Sequence, residues 1–246
     1  MSSPHPFPGG TSVTRLSVYT DACADGLHGG TPHLHTVSTE AYVVTGGSGT
    51  LQTLDPNGFR ETPLAAGSTV WFSPGVIHRA VNHGGLSVVV VMSNAGLPEA
   101  GDAVMTFPRE IVTDRDRYRA AAALPAGAEE EAVIRRRDLA VEGFTRLVAA
   151  AVKGDPAPLH AFYDAAVALV RPSITDWREL WRENVQRDAR RTAEALDALE
   201  RGDGAHLRDT ALLESPRSDD AKWGMCGRLR THDVRHPTLL TPGGPA

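Results

Sequence analysis

His33-Leu34-His35-Thr36-Val37-Ser38-Thr39-Glu40, closed seven residues later by Gly47, is the stretch on which the fold turns. Side chains alternate along a strand, so His33 and His35 project from one face. The residues from Thr36 to Thr39 turn the chain, and a strand that begins at Glu40 returns its carboxylate to the same centre. Gly46, Gly47 and Gly49 permit a sharp turn after that strand. A second stretch, Pro74-Gly75-Val76-Ile77-His78 followed by Asn82, completes the set. Its Pro-Gly pair makes a tight turn, and His78 opens the next strand as the fourth ligand. Three neutral imidazoles and one carboxylate suit a single divalent ion of Fe, Mn, Co, Ni, Cu or Zn. On a six-coordinate ion, four protein ligands leave two positions for water, substrate or dioxygen, which marks a catalytic site. His-x-His alone says little in a chain with ten histidines. The weight comes from the ordered set lying among strand-like segments.

Outward from these stretches, the chain changes character near residue 110. Before it, short β-rich runs at 12–18, 40–45, 50–54, 68–72 and 86–92 are separated by glycine, proline and asparagine, with Pro56-Asn57-Gly58 as a strong turn. Many short strands at close spacing predict a sandwich or small barrel. After it, residues 129–152 carry apolar side chains at helical spacing and stop at Gly154-Asp155-Pro156. Residues 159–170 form a second helix, closed by Pro172. Ser173 or Thr175 caps a third that runs to Leu199 and stops at Gly202. Trp177, Leu180, Trp181, Val185 and Leu199 make its apolar stripe, with the two tryptophans read as core. Its arginines, Arg187, Arg190 and Arg191, read as a solvated face beside nearby acids. The expected division is residues 1–110 as the β-barrel with the metal site, 111–205 as a helical region, and 206–246 as an irregular tail. Trp223-Gly224-Met225-Cys226 is an apolar island in that tail, expected to pack onto the body of the protein.

Composition bounds the setting. A hydrophobic share of 41% in 246 residues is ample for a core, and a net charge of −5 gives no footprint for nucleic acid. Cys23 and Cys226 lie far apart with no CxxC pattern, so a reduced cytoplasmic protein is the simplest expectation. Residues 1–11 have no basic start and no apolar stretch, and so do not read as a signal peptide. The apolar run Val88-Val89-Val90-Val91-Met92 is too short to span a bilayer and reads as a buried strand.

The two stretches resemble the cupin superfamily. Its first motif, Gly-x5-His-x-His-x3–4-Glu-x6-Gly, matches at His33, His35, Glu40 and Gly47. Its second, Gly-x5-Pro-x-Gly-x2-His-x3-Asn, matches at Gly67, Gly75, His78 and Asn82. Ser73 stands where that motif has proline, with Pro74 one residue later, and Leu27 stands at the leading glycine of the first motif, beside Gly26. The resemblance covers residues 12–108. It implies a mainly β chain with an α extension: a double-stranded β-helix, or jelly roll, with the metal at its centre, followed by the helical region. It also implies a homodimer paired through its sheets. Proteins similar to this one include dioxygenases, oxalate-degrading enzymes, lyases, sugar isomerases and epimerases, and non-catalytic storage or regulatory proteins, so the fold alone does not choose the reaction.

Around the ligands, Tyr42 should share the inward face of Glu40, either as an acid, base or orienting donor or as barrel lining. Glu40 itself is a second proton carrier if it detaches from the ion. Gln52 sits on the next strand. Arg79 should point away from the metal into a structural or interface salt bridge. Asn82 should secure a turn or strand, and His28 and His83 read as surface loop residues. One of Trp71 and Phe72 should face inward. The leading expectation is an Fe(II)-dependent oxygenase or oxidase that acts on a small organic molecule with dioxygen. A redox-neutral isomerase, epimerase or lyase is the alternative, and a non-catalytic ligand-binding protein the third.

Overall fold

The computed structural model describes residues 7–124, 130–216 and 220–241. Its N-terminal part consists of β1 (Ser12–Val18), β2 (His33–His35), β3 (Glu40–Asp55), β4 (Gly58–Ala65), β5 (Thr69–Phe72), β6 (Ile77–Met92) and β7 (Ala103–Met105). The long strands β3 and β6 pair antiparallel from Glu40↔Met92 to Leu54↔Ile77. The first half of β3 takes β5 on its other edge, and the second half takes β4. The second half of β6 pairs with β1, while its start meets β2 at His33↔His78, and β7 flanks β2. Both long strands therefore cross from one β-layer to a facing one, which is the jelly roll that the resemblance implies.

The crossing replaces an expected turn. Segments 40–45 and 50–54 are one strand, because the residues from Val44 to Gly49 form a bulge with shifted register. Gly47 sits there at φ 70°, and a Cβ on it would stand 2.3 Å from the Gly85 carbonyl group. Glycine thus lets the strand bend and continue. The run 86–92 is likewise the second half of β6. At Pro56-Asn57-Gly58 the turn is as expected, with the Asp55 carboxylate accepting the Asn57 N–H at 2.7 Å.

The helices are α1 (Arg109–Val112), α2 (Arg115–Ala122), α3 (Glu130–Val152), α4 (Ala157–Val170), α5 (Ile174–Trp181) and α6 (Arg187–Glu200). Alternation along β2 sends His33 and His35 inward and Leu34 outward. Leu34, Leu54, Ile77 and Val104 form a core with Ala140, Phe144, Leu159 and Phe162 of α3 and α4. The helical region thus covers the outer face of the histidine-bearing layer. Each such buried side chain contributes roughly 1.5–3 kcal/mol. Gly143 allows the close fit, since a Cβ there would lie 1.9 Å from the Thr106 carbonyl oxygen.

Three expectations for the helices need correction. Pro172 does not close α4, because residues 171–173 form a 3-10 turn that leads directly into α5. Proline is tolerated in that first turn, where its missing N–H leaves no bond unmade. Ser173 has helical backbone angles and makes no capping bond, and Thr175 lies within α5. A π-helical turn at Arg182–Gln186 then separates α5 from α6 and rotates the following face. Within α5 itself Trp177 is buried while Trp181, one turn further on, is 40% exposed, so only the first of the two tryptophans is core. Gly202, at φ 75°, follows the end of α6 as expected.

Residues 206–246 are not simply an irregular tail. They contain β8 (Leu212–Glu214), β9 (Lys222–Trp223), β10 (Gly227–Thr231) and β11 (Thr238–Leu240). Strand β10 pairs with β1, with Leu16 opposite Leu229, and so extends one barrel layer; β8 and β11 form a separate two-stranded sheet. Isolated short strands lack a strong sequence signal because their pairing is tertiary. Residues 1–6, Glu129 and 242–246, on which other expectations fall, lie outside the described residues. Cys23 and Cys226 are free and buried. Among the described residues, no helix is long and apolar enough to cross a membrane.

Candidate metal centre

Strands β2, β3 and β6 bring His33, His35, Glu40 and His78 together inside the barrel. One donor atom from each lies within 4.8 Å of all the others, and all four residues are buried. Nε2 of His35 and Nε2 of His78 each stand 3.1 Å from Oε2 of Glu40. Donors about 2.1 Å from an ion lie ~3 Å apart when adjacent, so these separations suit ligands of one ion. Glu40 Oε2 and His78 Nε2 are buried and, despite their closeness, make no hydrogen bond. Orphaned polar atoms of this kind are costly without a further partner, and a cation at the centre satisfies them. The residues present therefore fit a divalent ion.

Each imidazole is held by its other nitrogen. Nδ1 of His33 faces the Thr31 carbonyl at 2.8 Å, Nδ1 of His78 faces that of Val76 at 3.2 Å, and Nδ1 of His35 meets Asp102 Oδ1 at 2.6 Å. Donation from Nδ1 leaves the Nε2 lone pair aimed at the centre, the arrangement that orients ligand histidines. Asp102 was not legible as a site residue. It is wholly buried, follows Gly101, and its other carboxylate oxygen accepts the Ser38 N–H at 3.1 Å. Its backbone oxygen accepts the Thr36 N–H at 2.9 Å, so one aspartate pins both His35 and the turn that leads to Glu40.

The electrostatics follow from burial and mutual contact. Burial pushes the His33 imidazole well below its usual range, helped by the two neighbouring histidines. Burial acts the same way on His35, but the hydrogen-bonded Asp102 and the adjacent Glu40 carboxylate outweigh it and raise this group to about 10. Burial alone would raise Glu40; the neighbouring imidazoles of His78 and His35 instead hold it well below the carboxylate range.

Other residues named from sequence fall as follows. Tyr42 is fully buried, its ring centroid 6.4 Å from that of His78, and its hydroxyl is 3.7 Å from Cys226 Sγ. Burial first, then Cys226 and Glu40, drive its pKa well above the usual value. Phe72 is the inward aromatic, 4.2 Å from His78 between ring centroids, while Trp71 is 72% exposed. Gln52 pairs with Arg79 in register, away from the centre, and its amide donates to Glu61 at 2.9 Å. Arg79 is buried in a forked ion pair with Asp25 and donates to the Gly30 carbonyl. Asn82 bonds the Val18 and Tyr19 carbonyls and the N–H groups of Gly84 and Leu86, securing the bend of β6. His28 and His83 are exposed and lie outside the cluster. The apolar island packs inward: Cys226 joins the barrel core, and the Gly224 carbonyl accepts the Tyr19 hydroxyl at 2.8 Å. Cys226 is pushed up to about 12, chiefly by burial.

Residues 24–93 match the family model described as Cupin domain. The match takes in β2 to β6 and all four residues of the cluster. Residues 24–93 are a cupin domain. Solved structures similar to it include a Streptomyces PAC13 variant with uridine, at 18% identity and TM-score 0.27, covering 37% of this chain and 64% of that one. Another is an oxalate oxidase in complex with the substrate analogue glycolate, at 22% identity and TM-score 0.25, covering 35% and 51%. A third is an uncharacterized conserved protein with a double-stranded beta-helix domain from Klebsiella pneumoniae, at 18% identity and TM-score 0.27, covering 37% and 77%. This chain thus spans less than two thirds of the first two proteins' length. Curated proteins yield no match.

Proposed function

We propose that this cupin is a mononuclear metal-dependent enzyme, an Fe(II)-dependent oxygenase or oxidase of a small organic molecule. The reading rests on the buried set of three imidazoles, each anchored through Nδ1, around one carboxylate. Four protein donors suit an ion with open positions rather than a closed structural site. When bound, a redox-active divalent ion supplies Lewis acidity and one-electron chemistry toward dioxygen. The chain's own residues do the rest. Phe72 walls the histidines from water, and the Tyr42 phenol, kept protonated by burial, is a proton donor. Glu40 stays ionised while its histidine partners are in place. A cleft of about 470 Å³ runs along β3, β4 and β5 and ends on Phe72 and Val76. Its size suits a small molecule, and Thr53, Arg60 and Thr62 supply the polar contacts that would orient one.

A redox-neutral isomerase, epimerase or lyase is the second reading, favoured by Tyr42, since such chemistry needs a fixed proton donor inside the pocket. Metal analysis of freshly purified protein, with turnover of small-molecule pools measured with and without dioxygen, tests both. The expected outcome is one Fe per chain and oxygen uptake with a substrate. Turnover that persists anaerobically favours the second reading, and a protein that takes up no first-row metal overturns both.

A further inference from the structure

The inner face of β4 carries a cation that the metal centre leaves unused. Alternation sends Phe59 and Glu61 to the outer face, where the Phe59 ring centroid lies 6.2 Å from that of Phe144 in α3 and Glu61 accepts the Gln52 amide. Arg60 therefore points to the inner face with Thr62 and Leu64, and Leu64 belongs to the core around Tyr42 and Phe72. The register fixes its level in the barrel. His33 opposes His78, His78 opposes Thr53, and Thr53 opposes Arg60, in one row across β2, β6, β3 and β4. Directly opposed residues share a face, so two of the clustered histidines and Arg60 stand at one level of the same inner surface. Two strand spacings, roughly 10 Å, separate the backbones at His78 and Arg60. The cleft that ends on Phe72 has Arg60, Thr53 and Thr62 in its wall.

The guanidinium there is uncommitted. Arg79 and Arg137, both buried, are held by Asp25 and by backbone carbonyls. Arg60 is exposed in the cleft and has no ion pair or hydrogen bond with any described residue. A planar fork of N–H donors in a cleft wall matches a carboxylate, which it grips with two parallel bonds. The threonine hydroxyls beside it can donate to the remaining lone pairs. Asp55, the cleft's acid, sets the charge of the guest. It lies toward the turn, with its Oδ1 taken by the Asn57 N–H. One guanidinium beside one fixed carboxylate balances a monoanion far better than a doubly charged phosphate. Resting on the metal-centred reading above, we propose that Arg60 anchors the carboxylate of the substrate, which is therefore a small organic acid. Thr53 and Thr62 flank the anchored group, and the rest of the molecule extends toward Phe72 and His78.

Calorimetric titration of the full chain with propionate, butyrate and hexanoate, beside butyramide and inorganic phosphate, tests this in both metal-loaded and metal-free protein. The acids are expected to bind, phosphate to bind more weakly, and butyramide not to bind. Arg60→Gln should weaken acid binding by at least ~tenfold, the loss of a charge-assisted forked contact, and Arg60→Lys should recover only part of it. Metal content and thermal melting should stay unchanged in both variants. Equal acid binding by wild type and Arg60→Gln, equal affinity for butyramide, tighter binding of phosphate, or a wild type that binds none of the acids overturns the proposal. So does an Arg60→Gln chain that aggregates while its acid binding is intact, since the charge would then only guard the β4 edge. A wild type that holds metal but ignores the acids fails this proposal alone. One that takes up no first-row metal, yet binds acids through Arg60, fails only the metal-enzyme reading.

Discussion

At the scale of single residues, the centre depends on which nitrogen each imidazole turns inward. His35→Ala removes one ligand and is expected to abolish stoichiometric metal binding; full occupancy, read by elemental analysis, would show the assignment to be mistaken. Asp102→Asn removes the charge that orients His35. It should lower metal affinity by about 10–100-fold while the fold, followed by circular dichroism, persists. The same contact sets a pH dependence. His35 is raised to about 10 in the metal-free protein, so an incoming ion must displace its proton. Affinity should therefore climb by roughly tenfold per pH unit through the neutral range, and titration calorimetry in buffers of different ionisation heat should register the released proton. An affinity flat with pH would contradict the His35 geometry.

Among the elements, α3 is the part that locks barrel to helices. Arg137 reaches from it, fully buried, to the carbonyls of Ala22 and Gly29, and its guanidinium lies 5.1 Å from the centroid of the Tyr19 ring. Gly143→Ala isolates the packing contribution. Helix propensity alone favours alanine by about 1 kcal/mol, whereas the Cβ would strike the Thr106 carbonyl. Net destabilisation in urea melts is the expected result, and stabilisation would mean that α3 can shift freely on the barrel. The loop before β2 is held similarly by Asp25 and Arg79. Burial would raise Asp25, but the Arg79 guanidinium outweighs it and holds the carboxyl below 3.8. A depressed folded-state pKa contributes stability above the unfolded value and loses it as pH falls through the folded one. Asp25→Asn should cost roughly 2–3 kcal/mol near neutrality, less than the ~3–5 of a fully buried pair because Asp25 is partly solvated, and should flatten the acid limb of stability.

For the whole molecule, the barrel is not complete at residue 110. Strand β10 covers an edge of β1, and Cys226 fills core beside Tyr42. Truncation after residue 205 should therefore leave an unpaired strand edge and a cavity, and the shortened chain is expected to aggregate or melt well below the full one. A truncated chain as stable as the parent would show that the C-terminal strands only decorate the barrel. Both cysteines should resist thiol reagents until global unfolding, since each is buried with its thiol pushed up.

The local sequence alone determined the four residues that cluster and the strands that carry them. Period-two alternation places His33 and His35 on one face, and glycine and proline punctuation marks where strands bend and turn. These are short-range constraints, readable in a window of a few residues. Asp102, Arg137, the C-terminal strands and the joining of segments across Gly47 follow a different rule. Each depends on a partner far along the chain: Asp102 on His35, Arg137 on Gly29, β10 on β1, Gly47 on Gly85. Such partners meet only when the layers stack, because burial removes water as the alternative hydrogen-bond partner and leaves one packed solution.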